Sequence, residues 1–182
     1  MSKVFRIYVK KREEFAVEAK EVLENLRVQL KLDNLKDLSI INRYDVEGVS
    51  EEVLKTGINT ILSEPMVDDV YMEEYPSSGI TFAIEFLPGQ YDQRADACEQ
   101  CFSILTGAND VKVKCAKLYD VVGEDLDLDK IQKFLINPVD QRLASLDKPL
   151  SLKEADVDIP LVPIISGFIN FSDEELKEYI KV

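Results

Sequence analysis

Ile80-Thr-Phe-Ala-Ile-Glu-Phe-Leu87 decides the fold, because it restarts a pattern the chain has already run through once. It follows the break Tyr75-Pro-Ser-Ser-Gly79 and reads as a strand. A helix near Asp92 to Thr106, a strand at Val111 to Val122 and a helix near Asp127 to Ile136 come after it. Ahead of the break, Val4, Arg6, Tyr8 and Lys10 alternate with Phe5, Ile7 and Val9, which predicts a strand over 4–10. Phe15, Ala19, Val22, Leu23, Leu26 and Leu30 recur at three- and four-residue steps, which predicts a helix over 14–31 with that stripe buried. Leu38, Ile40 and Ile41 lead through Arg43 to Val46 as a second strand closed by Gly48. Ser50 then caps a helix to about Ser63, with Val53, Leu54, Ile58, Ile61 and Leu62 inward. Pro65 ends it, and Val67, Val70 and Met72 suggest a third strand. Helix starts near 15 and 92, and near 50 and 127, are separated by about 77 residues, and the central strands by about 74. The expectation is an α+β fold of two tandem ferredoxin-like units, 1–75 and 76–148, each with helices on one face of an antiparallel sheet and together forming an internal pseudo-dimer. The last strand of the second unit does not stand out.

Residues 149–182 differ in texture. Lys148-Pro149-Leu150 and Asp158-Ile-Pro-Leu-Val-Pro163 are held out of helix by proline and read as extended linker. Ser172-Asp-Glu-Glu175 has capping-box spacing, and Leu176, Tyr179 and Ile180 begin an apolar face that the chain does not complete. Such a helix either packs on its own domain or opens a longer protein cut at this point.

Of 182 residues, 46% are hydrophobic and 31% charged, which excludes disordered and fibrous classes. With 22 basic against 35 acidic residues the net charge is -13, so nucleic acid and anionic membrane are excluded as main partners. The chain has no histidine, which removes Ser/His and Cys/His nucleophile systems and imidazole metal ligands. Three cysteines, no secretory leader and no apolar run of membrane-spanning length point to a cytoplasmic protein.

Cys98-Glu-Gln-Cys101 has the spacing of a redox pair or half a thiolate metal site, with Cys115 as a third ligand. Yet Cys98, Cys101, Phe102 and Leu105 fall at helical spacing, so they read as core. Glu124-Asp-Leu-Asp-Leu-Asp129 opens like a calcium loop. Counted from Asp125, Lys130 stands where glycine is required and Ile136 where a bidentate glutamate is required, so the run reads as the acidic start of a helix. No glycine-rich phosphate loop is present. The most distinctive stretch is Leu87-Pro-Gly-Gln-Tyr-Asp-Gln-Arg-Ala-Asp96. Pro88-Gly89 forces a turn, and the helix start beyond it offers backbone N–H groups with Gln90, Gln93 and Arg94 for an anion or carboxylate. The plainer reading has Arg94 and Asp96 fix only the turn and a domain contact.

Asn42-Arg-Tyr-Asp-Val-Glu-Gly48, Ser63-Glu-Pro65, Asp68-Asp-Val-Tyr71, the Leu87 to Asp96 stretch and Ile136-Asn-Pro-Val-Asp-Gln-Arg142 together resemble the N-terminal region of phosphoribosylformylglycinamidine (FGAM) synthase, in the long single-chain form of clostridia and related bacteria. The resemblance spans nearly the whole chain. It implies two copies of a PurS-like unit, a structural region that bridges the synthetase and glutaminase parts of the same enzyme, with Phe168 to Val182 at the start of a linker domain. The family enzyme is an ATP-dependent ligase of purine biosynthesis. It converts formylglycinamide ribonucleotide, ATP and glutamine to formylglycinamidine ribonucleotide, ADP, phosphate and glutamate. ATP and Mg2+ are thus implied for the full-length enzyme, no cofactor for this segment, and no catalytic residue or metal ligand is carried over. Pro88, Gly89, Gln90, Asp92, Gln93, Arg94 and Asp96 are the candidate interdomain or substrate-facing contact. Two rivals stand beside it: a tandem ferredoxin-like regulatory module binding a small molecule between its units, and a free-standing acid/base enzyme using paired carboxylates.

Overall fold

A computed structural model describes residues 3–153, 165 and 167–179. The run from Asp158 to Pro163 and the last residues, Ile180 to Val182, lie outside the described residues. The fold is α+β. In chain order it runs β1 (Phe5–Lys11), α1 (Val17–Leu30), β2 (Leu35–Glu47), α2 (Glu51–Gly57), β3 (Asp68–Met72), β4 (Ile80–Phe86), α3 (Gln93–Thr106), β5 (Lys112–Gly123), α4 (Leu128–Leu135), β6 (Gln141–Ala144) and α5 (Asp173–Tyr179). The described strands make one sheet in the order β3-β1-β2-β5-β4-β6, antiparallel throughout. Its centre is the long β2–β5 pair, in register from Asp37 opposite Val122 to Glu47 opposite Lys112, with a bulge between Asp37 and the further pair Leu35–Gly123.

The strand missing from the sequence reading is β6, which pairs with β4 and adds an Arg142–Glu85 ion pair at 2.7 Å. Four residues are too few for a readable alternation. The first helix also differs from expectation. Residues Glu13–Phe15 form a separate 3-10 turn and α1 starts at Val17, so Phe15 leaves the stripe and is 46% exposed. Ser50 caps α2 as expected, its hydroxyl accepting from Val53 N at 3.3 Å. Beyond Gly57 the helix widens into a π turn over Ile58–Leu62, closed where Ser63 Oγ donates to the Ile58 carbonyl at 2.6 Å.

Residues of one parity on each strand face the helices, except that the bulge after Leu35 brings that residue to the same face as Leu38. Phe5, Ile7 and Val9 of β1 join Tyr44 and Val46 of β2, Leu54, Ile58 and Leu62 after Ser50, and Cys98 and Phe102 of α3. Leu26 of α1 joins Leu35 and Leu38 of β2, Phe82 and Ile84 of β4, Tyr119 and Val121 of β5, and Ile131 of α4. Both clusters therefore draw residues from either side of the 75/76 boundary. Phe102 is fully buried, and its ring needs Gly57: a Cβ there would stand 2.3 Å from Phe102 Cε1.

The opposite face is built on charge. Arg6 grips Asp45 through Nε at 2.6 Å and Nη2 at 2.8 Å, both residues buried. Arg6 Nη1 also donates to the Leu146 carbonyl at 2.5 Å, and Arg43 Nη1 to the Ser145 carbonyl at 2.8 Å. Glu47 accepts from Leu152 N at 2.6 Å and from the Ser151 hydroxyl. These bonds strap residues 145–152 across the sheet. Asp120 holds a second cover, accepting from Ser78 N at 2.8 Å and Gly79 N at 2.9 Å. A Cβ on Gly79 would lie 2.1 Å from the Val121 carbonyl oxygen, so only glycine lets that loop come so close.

Candidate functional site

The turn after β4 folds as its proline and glycine dictate. Gln90 N donates to the Leu87 carbonyl at 3.0 Å, and Gly89 takes φ +85°; Pro88, Gly89 and Gln90 are all exposed. Two N–H groups at the start of α3 are already taken, however. Asp92 caps it, its carboxylate accepting from Arg94 N at 3.0 Å and Ala95 N at 3.1 Å. Expecting open backbone donors there overlooked that the motif carries its own capping acid. Asp96 accepts from the Tyr91 hydroxyl at 2.8 Å and Gln100 Nε2 at 2.7 Å, which fixes the turn. Gln93 and Arg94 have a different place.

They border a hollow of about 770 Å³ on the helix-bearing face, walled by Ile84, Phe86, Tyr91, Tyr119 and Leu135 with Asn42, Lys117 and Gln141 among its polar groups. A second hollow, about 460 Å³, lies toward β1, the start of α1 and the chain before β3. Asn42 and Arg94 line both, so the two form one trench over the β2–β5 pairing. Arg94 Nη1 donates to the Tyr44 hydroxyl at 3.1 Å, and Arg94 has no ion pair among the described residues. Burial pushes the Tyr44 phenol up to about 12 although Arg94 pulls the other way. Burial works against the Arg94 charge, but Tyr44 together with the Cys115 and Cys98 thiols outweighs it, and the guanidinium is held above its ordinary value. Across the trench Lys117 is paired with Glu18, and Tyr119 is raised to about 12 by burial and then by the Glu18 charge.

The cysteines divide. Cys98 is buried, as its helical position indicates, whereas Cys101 and Leu105 are exposed, so the expected stripe is narrower than four residues. Cys98 partners Cys115 of β5: contact with Cys115 lowers the Cys98 thiol, and contact with Cys98 together with burial raises Cys115. In the acidic run, Asp127 caps α4 by accepting from Lys130 N at 3.1 Å and Asp129 pairs with Lys133 at 2.6 Å. Among the described residues no group of three or more His, Cys, Asp or Glu is placed to hold a metal ion, and no helix is long and apolar enough to cross a membrane. At the C-terminal end the capping box forms, with Ser172 N donating to Glu175 Oε2 at 2.7 Å and Glu175 N to Ser172 Oγ at 3.4 Å.

Sequence reasoning missed Asn42, Tyr44, Glu18, Lys117 and Tyr119 as site residues, because their meeting depends on the β2–β5 register. One signal was available: Glu18 and Arg94 each stand second in their helices. Comparison of the chain with protein-family models, with curated proteins and with solved structures finds no match.

Proposed function

We propose that the chain is the PurS-like structural region of FGAM synthase, an internal pseudo-dimer of units 1–75 and 76–148 that joins the synthetase and glutaminase parts and is not catalytic by itself. The observation that carries the reading is the β2–β5 pairing, which makes one sheet of two strand-helix-strand-helix-strand halves. Within each half the strand from the middle of the sequence lies at the centre of the sheet and the last strand lies at its edge. Two copies of a small dimer-forming subunit fused in one chain would pair in this way. The motifs from Asn42 to Arg142 supply the family, the remaining synthetase and glutaminase domains supply the partners, and the cytoplasm is the setting. ATP and Mg2+ belong to those other domains, since this chain has no phosphate loop and no histidine for a glutaminase nucleophile pair.

In-frame removal of the coding region for residues 1–148 should leave cells of the source organism dependent on added purine. Growth without purine would refute the assignment. The purified chain should release neither phosphate from ATP nor ammonia from glutamine, and either activity in a contaminant-free preparation would count equally against it. The regulatory-module reading is kept alive by the trench, and ligand-dependent thermal stabilisation would favour it.

A further inference from the structure

The trench is lined by two matching sets of residues that end differently. Glu18 and Arg94 are each the second residue of the helix that borders it, Asn42 and Lys117 are register partners on β2 and β5, and Tyr44 and Tyr119 lie two residues beyond them. On one side the set closes on itself: the Glu18 carboxylate takes the Lys117 ammonium. On the other side Arg94 meets, among the described residues, only the Tyr44 phenol, and an amide, Asn42, takes the strand position that matches Lys117 and lines both hollows with Arg94. The Asn42 amide has no hydrogen-bond partner among the described residues. One cation and one amide with donors to spare thus share the junction of two hollows, in a chain whose net charge is -13.

We propose that Arg94 and Asn42 hold the oxyanion, carboxylate or phosphate, of a small organic ligand whose body lies against Phe86, Tyr91 and Tyr119. Arginine presents a planar fork matched to such oxyanions, and the Asn42 NH2 adds donors from the sheet floor. The larger hollow, about 770 Å³, is of ligand size, and its aromatic wall supplies the apolar contact that bare phosphate cannot use. The Arg94 and Ala95 N–H groups at the helix start contribute nothing here, because Asp92 has already taken them. The proposal stands on the trench alone. A purine-independent deletion strain would refute the synthase assignment and leave it untouched.

The test is an NMR titration of the intact chain at constant ionic strength, with inorganic phosphate and with phenyl phosphate. Phenyl phosphate should shift Arg94 Nε and the amides of Phe86, Tyr91 and Tyr119 saturably, with a Kd on the order of 1 mM and about tenfold below that of phosphate. Arg94→Gln should weaken it at least about tenfold. Asn42→Glu should do the same without loss of folding, since it rebuilds beside Arg94 the ion pair that Glu18 and Lys117 already make. No saturable shift with either probe, equal binding of both, or undiminished binding in folded Arg94→Gln would overturn the proposal.

Discussion

The two faces of the sheet are covered by opposite means. Outside the trench the helix face is closed by hydrocarbon, with Ile7, Leu26, Leu54, Phe102 and Ile131 completely buried. The other face carries, among the described residues, a small buried apolar cluster, Tyr8, Ile41, Ala83, Ala116 and Leu118, and beside it Arg6, Arg43, Asp45, Glu47 and Asp120 are buried as well. Apolar cover is non-directional, so a helix can settle wherever its stripe fits. Charged cover tolerates no such freedom, because each buried group must find its partner. The strap over 145–152 is thus fixed in position by four carbonyl and amide contacts, to Ser145, Leu146, Asp147 and Leu152, where a packed helix would be fixed by shape.

The largest effects should be equal on the two faces and should differ in how they can be repaired. Phe102→Ala removes a buried ring and should cost about 3–5 kcal/mol in urea unfolding. Asp45→Ala should cost a similar amount, about 3–5 kcal/mol, by leaving Arg6 buried without its carboxylate and next to Arg43. Burial and the neighbouring Arg6 charge already depress Arg43, so losing Asp45 leaves two cations facing each other. The double change Arg6→Met with Asp45→Leu should recover most of that loss, since it removes the unpaired charge itself. Amide exchange in 145–152 should then rise while global stability returns. If the double variant is as unstable as Asp45→Ala, the face is not governed by charge pairing.

High pH separates the faces by a smaller effect. Tyr44, Tyr75 and Tyr119 are each raised to about 12, all three first by burial. Tyr75 is raised next by the charge of Asp120 on the strapped face. Their folded values lie above the ordinary phenol value of about 10, so the stability they contribute is complete below pH 10 and lost as pH climbs through 12. The melting temperature should fall across that window. Phenolate absorbance should show three late-ionising tyrosines, and Asp120→Asn should move Tyr75 down while leaving Tyr44 in place. Unchanged Tyr75 ionisation in Asp120→Asn would mean that burial alone raises it.

The same contrast explains what the chain let a reader see. The helix face was legible because burial by hydrocarbon leaves a period: Phe5, Ile7 and Val9, or Val22 and Leu26, advertise their partner surface without naming it. Ser50 was legible as a cap in the same local way, whereas Asp92, which caps α3, was passed over in favour of open backbone donors. The strapped face left no such period. Arg6, Asp45, Arg43 and Asp120 look in sequence like ordinary surface charges, and their burial depends on residues some 40 to 140 positions away. Even the candidate site was only half visible. Arg94 could be singled out from its turn, but Asn42 and Lys117 come to line the same hollow through a strand register that no local pattern encodes.

The smallest effect marks where the comparison ends. Each face is rimmed by an ion pair in reach of water, Glu18–Lys117 above the trench and Lys148–Glu73 beside the strap. Lys148 and Glu73 approach to 2.5 Å, yet their side chains keep 36% and 38% of their exposure. Solvent screens the attraction, and two long side chains must be ordered to make it, so each pair should be worth less than about 1 kcal/mol. Lys148→Ala and Glu18→Gln should therefore leave urea midpoints nearly alike and close to that of the parent, with any difference fading in added salt. A loss of several kcal/mol from Lys148→Ala alone would mean that the strap is held at its rim and that the buried row beneath it is passive.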